Sequence, residues 1–72
     1  MINTDRFETQ WKEMRGDVRQ RWPALTDADV DIIDGHVDVL IDLLEEKYAY
    51  SRSLAEEEVN RFLHDQNAVR AG

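Results

Sequence analysis

No cysteine occurs among the 72 residues, which excludes disulfide staples, thiolate zinc sites and a cysteine nucleophile. A domain of this size removes only about 60% of its unfolded surface from water, so the core has to come from helix packing alone. Long apolar runs are missing too. Val39-Leu40-Ile41 and Leu43-Leu44 are separated by Asp42, far short of the roughly 20 residues a membrane helix needs. The N-terminal stretch has no signal-peptide character, so the expected location is the cytoplasm, with no membrane contact. There is no repeat, no low-complexity segment and no alternating apolar run bounded by hairpin turns, which argues against strands. A single proline and three glycines leave few places where a helix can stop.

Acidic charge is abundant. The net charge of -7, with 35% of residues charged, favours solubility and opposes generic binding to nucleic acid or anionic lipid. It is unevenly spread: from Asp5 to Trp22 the bases Arg6, Lys12, Arg15, Arg19 and Arg21 slightly outnumber the acids, and the rest of the chain is strongly acidic. Apolar residues make up 42% of the chain and fall in periodic stripes, so one folded domain over residues 1–66 is expected, with 67–72 as a flexible tail.

Residues 1–4 read as a lead-in, with Asn3, Thr4 or Asp5 available as cap. Phe7, Trp11, Met14, Val18 and Trp22 then recur at helical spacing, inside an arc of roughly 80° at about 100° per residue. This predicts one long first helix, ended by Pro23, which disfavours helical geometry at Trp22. Gly16 falls on its opposite side. Leu25-Thr26-Asp27-Ala28-Asp29-Val30 reads as a new start. Thr26 suits the N-cap, Asp27 and Asp29 suit the positive helix end, and Leu25 can staple onto Val30. The short second helix turns Val30 and Ile33 inward and ends at Gly35 in a left-handed conformation, although the same apolar positions also fit one continuous helix through Gly35. A third helix over about His36 to Tyr48 carries apolar residues on more than one side. Ser51 caps a fourth, with Ala55, Val59, Phe62 and Leu63 facing inward, Leu54 beside them, and a stop near Asp65 to Gln66.

Taken together, Trp11-Lys12, Gly16, Trp22, Leu25-Thr26-Asp27-x-Asp29, Ile33-x-Gly35, Asp38-x-Leu40, Tyr48 and Ala55-x-x-x-Val59-x-x-Phe62 resemble the CsbD-like family of small bacterial stress-associated proteins. The resemblance spans about Phe7 to Phe62. It implies an all-α, orthogonal array of four helices, similar to two helical hairpins packed across each other, and expression linked to general stress. It implies no reaction. Two positions depart from the family, which tends to carry glycine after the aromatic residues matching Trp22 and Tyr48; here Pro23 and Ala49 stand there. A left-handed Ala49 is strained by roughly 1 kcal/mol, so a different turn is expected at that point.

Four sets of residues invite a chemical reading. Asp27, Asp29, Asp31 and Asp38 have the spacing of a calcium loop, but Ile32 holds the position that requires glycine and Asp38 replaces the usual glutamate; a solvated helix start is the reading adopted. Lys12, Arg15 and Arg19 share one strip of the first helix, with Glu8 placed to pair with Lys12. They could track phosphates beside a stacking Trp22, or simply face the acidic second and third helices. His36 and His64 have no metal-type spacing, and Ser51 and Ser53 are explained by capping. Phe7, Trp11 and Trp22 are expected in the core. Val39 and Leu43 fall off the main stripe of the third helix and form a candidate patch for self-association or a partner helix. The expectation is a non-enzymatic protein without metal or cofactor that acts by binding. The sequence names no partner; an unidentified protein is compatible with it, nucleic acid is disfavoured, and the chain is expected to be a monomer or weak homo-oligomer. The alternatives are a nucleic-acid accessory module on the basic strip and a homo-oligomeric or adaptor module.

Overall fold

The apolar stripe from Phe7 to Trp22 is buried along its whole length, yet the helix that carries it is broken. The computed structural model describes the backbone of residues 4–71 and the side chains of residues 7–65; of the expected lead-in over residues 1–4, residues 1–3 lie outside the described residues and Thr4 already opens a helix. Within them the chain is all-helical: α1 (Thr4–Thr9), α2 (Trp11–Arg21), α3 (Asp27–Ile33), α4 (Val37–Tyr48) and α5 (Arg52–Ala71). Five helices replace the expected four because Gln10, at φ -103° and ψ 11°, divides the long first helix into α1 and α2. That conformation lies in the bridge region between helix and strand. The Gln10 carbonyl still accepts from the Glu13 and Met14 amides at 3.0 and 3.1 Å, so the axis is interrupted for one residue while Phe7, Trp11 and Met14 stay in one core.

Each later boundary has a local cause. At the end of α2 the Trp22 amide still donates to the Val18 carbonyl, and the Leu25 amide closes a turn onto the Trp22 carbonyl at 3.0 Å, with Pro23 second in that turn, where its fixed φ is favourable. Thr26 caps α3: its hydroxyl accepts from the Asp29 amide at 3.1 Å, and the Asp29 carboxylate accepts from the Thr26 amide at 3.0 Å. This is a complete capping box with aspartate in the place usually held by Glu or Gln. Leu25 and Val30, at the staple positions either side of the cap, are both buried.

The α3–α4 junction is a break. Asp34 (φ 43°) and Gly35 (φ 82°) are both left-handed, and the His36 amide returns to the Ile33 carbonyl at 2.7 Å. Gly35 has a second reason to lack a side chain. A Cβ there would lie 3.3 Å from the Glu8 Cα and 3.5 Å from the Trp11 Cβ, so the corner packs directly on the backbone at the α1–α2 break. Ala49 ends α4 in a left-handed conformation, φ 57°, so the turn retains that geometry despite the missing glycine. Ser51 caps α5, its hydroxyl accepting from the Leu54 amide at 3.1 Å. The helix then runs to Ala71, past the stop expected at Asp65 to Gln66, so residues 67–71 continue its backbone.

The core joins α1, α2 and α4 with α3 and α5 around Leu40 and Leu44, both fully buried. The α4 helix packs against α1, α3 and α5, as expected of an element that is apolar on more than one side. Trp22 meets Phe62 with ring centroids 5.3 Å apart, bringing α5 against the end of α2. The Tyr48 hydroxyl accepts from the Ala24 amide at 3.1 Å, tying the Pro23 turn to the end of α4.

Candidate functional site

The basic strip of α2 and the acidic helix α3 meet within the molecule. Arg15 donates to Asp31 at 2.7 Å, and Arg19 pairs with Asp27. Arginines one helical turn apart thus face aspartates one turn apart in antiparallel order, about 6 Å of rise on each side. The ladder goes no further: Asp34 has left the helix at φ 43°, and among the described residues Lys12 makes no ion pair. Nor does Glu8 pair with Lys12 among those residues, because the break at Gln10 lies between them and removes the helical register that the pairing needs.

The other flank of α3 is held from α4. Asp29 is the buried charged side chain of the described residues, and Lys47 Nζ lies 3.4 Å from its Oδ2. The hydrogen bond from the Thr26 amide holds the Asp29 carboxyl below its ordinary value; burial acts the other way, and Lys47 adds to the lowering. Asp27, Asp29 and Asp31 therefore diverge to Arg19, Lys47 and Arg15. Among the described residues no three His, Cys, Asp or Glu side chains are grouped to hold a metal ion.

Elsewhere Arg52 bridges α4 and α5 through Asp42 at 3.1 Å and Glu45 at 3.3 Å, with Glu56 at 3.5 Å. These carboxylates, Asp42 first, hold its guanidinium above the ordinary arginine value, with burial acting the other way. Arg21 lies over the Trp22 ring and reaches Asp65 at 3.4 Å, beside a shallow cleft floored by Phe62 and edged by Asp17 and Gln20. Trp22 is 2% exposed, so it offers no open stacking face beside the basic strip.

Val39 and Leu43 are half-buried and pack against the core. Among the described residues, the large apolar side chains most open to solvent are Ile32 at 62% and Leu54 at 39%. Ile32 gave a sequence signal: it stands one position before the inward Ile33, so a helix that buries Ile33 turns Ile32 outward. The partnership of Lys47 with Asp29 gave none, since it depends on how α4 crosses α3.

The chain has relatives among known proteins. The chain is 39% identical over 61 residues to UPF0337 protein PA4738 of Pseudomonas aeruginosa, covering 85% of this chain and 94% of the relative. It belongs to the UPF0337 family. UPF0337 protein YjbJ of Escherichia coli K12 is 40% identical over 58 residues, covering 81% of this chain and 84% of the relative. UPF0337 protein NE2439 of Nitrosomonas europaea is 34% identical over 70 residues, 97% of this chain and 74% of the relative. No family model matches the chain, and no solved structure matches it. Among the described residues of this UPF0337 member, no helix is long and apolar enough to cross a membrane.

Proposed function

We propose that this UPF0337 protein is a non-enzymatic, cytoplasmic protein of the bacterial general stress response that acts by binding, with the packing of two helical hairpins across each other that the CsbD-like resemblance implies. The observation that supports it is the use made of the residues carrying that resemblance. Trp22, Thr26, Asp29, Gly35 and Tyr48 form the caps, turns and cross-helix ties of the fold. Ser51 is spent on a cap, and Asp27 and Asp31 on the ladder to α2.

The ladder weighs against the nucleic-acid reading. Arg15 and Arg19 already face carboxylates, and a phosphate chain would have to displace them while approaching a molecule of net charge -7. An interaction module stays in play through Ile32, which lies open on α3.

The test is protein abundance in the native host before and after osmotic, acid and starvation stress. A rise in at least one condition is expected, and flat abundance in all three overturns the stress assignment. Titration with short single- and double-stranded DNA at low salt, where electrostatic attraction is strongest, is expected to show no binding; saturable binding would replace this reading with the nucleic-acid one.

A further inference from the structure

We propose that α3 is a clamp released by ionic strength, a segment whose docking depends on charge as well as on two apolar side chains and which opens ahead of the other helices when salt rises. Seven residues are too few for a helix to persist alone, so α3 is ordered by what it docks against. It inserts two apolar side chains, Val30 and Ile33, into the core. By contrast, every carboxylate on its helical span is held by a base from a neighbouring helix: Asp27 and Asp31 by Arg19 and Arg15 of α2, and Asp29 by Lys47 of α4.

Ion pairs elsewhere among the described residues bear less on docking: Arg52 ties α5 to Asp42 and Glu45 of α4 and Arg21 reaches Asp65 of α5, yet α5 also buries Ala55, Val59 and Phe62. Arg61 pairs with Glu57 and Glu58 within α5, so screening there costs that helix local support without undocking it. The α2 rungs lie at the surface, with Arg15 and Arg19 side chains 45% and 47% exposed, and are open to counterions. Raising sodium chloride from about 0.01 M to about 1 M shortens the Debye length from roughly 30 to roughly 3 Å. The same salt also screens the self-repulsion of a chain of net charge -7, which steadies the rest of the fold. Salt therefore loosens α3 more than α5, whose own surface pairs are backed by a larger apolar face.

The left-handed pair Asp34 and Gly35 at one end of α3 and the Pro23 turn at the other allow the segment between them to swing out without unwinding α2 or α4. Opening bares Val30 and Ile33 together with the apolar residues they cover, so the device converts ionic strength into exposed apolar surface.

Amide hydrogen exchange, expressed as protection factors, tests this. Protection at Val30 to Ile33 is expected to fall about fivefold across that salt range relative to protection at Leu40, Ile41 and Leu44 of α4, the size set by a few surface pairs. In an Arg15→Gln, Arg19→Gln, Lys47→Gln variant, α3 is expected to be less protected already at low salt, with the salt dependence of the ratio lost. Asp31→Asn, which removes one rung and leaves every base in place, is expected to lose part of that dependence and serves if the triple variant does not fold. Exchange of α3 and α4 at one common rate at every salt concentration would overturn the proposal, as would an unchanged salt dependence in the variants.

Discussion

Two positions show what one side chain can decide. Ala49 stands at φ 57°, where a Cβ crowds the following carbonyl and glycine does not. Ala49→Gly is expected to raise stability by about 1 kcal/mol, read as a higher midpoint in urea with an unchanged slope. Gly35 is the opposite case. Its φ of 82° and the Glu8 Cα at 3.3 Å from where a Cβ would sit leave an alanine strained in its own backbone and pressed on a backbone atom that cannot rotate aside. Gly35→Ala is expected to cost more than about 1 kcal/mol by the same measurement. The need for glycine at this corner was legible in the sequence as a helix stop. Its contact with Glu8 was not, because those residues lie far apart in the chain.

At the scale of the element, α3 carries the most information. Its start was written locally: Thr26 with Asp29 three residues on, and Leu25 with Val30 around the cap, all follow from spacing. The electrostatic state of Asp29 follows from that cap and has a consequence in acid. Its folded carboxyl lies below its ordinary value of 3.8, so the folded state takes up this proton less readily than the unfolded chain. The stability Asp29 contributes is complete above about 3.8 and is lost as pH falls through the lower folded value. Carbon-detected NMR titration of Asp29 is expected to give a midpoint below that of an unstructured aspartate. Thr26→Ala, which removes the hydroxyl partner of the Asp29 amide, is expected to cost about 1 kcal/mol. The division of α1 from α2 belongs to this scale too. The stripe from Phe7 to Trp22 reads the same whether or not the helix pauses at Gln10, since one bridge-region residue leaves the apolar face nearly in phase.

For the whole molecule, the last helix is seated on the core through Ala55, Val59 and Phe62. Phe62 is 3% exposed and meets Trp22 across the gap between α5 and the end of α2. Phe62→Ala is expected to cost about 3–5 kcal/mol, a large part of what a domain this small holds, and circular dichroism melting should show a much lower and broader transition. Leu54→Ala, at a side chain 39% exposed on the same helix, should shift the midpoint far less. The sequence by itself determined the helical class, the inward faces, the caps at Thr26 and Ser51 and the stops at Pro23 and Gly35, because each depends on residues within about one or two helical turns of each other. Only the tertiary structure decided that Arg15 and Arg19 meet Asp31 and Asp27 and that Lys47 reaches Asp29. Periodicity sets the face a side chain occupies on its own helix, whereas its partner depends on how that helix is crossed and displaced against another.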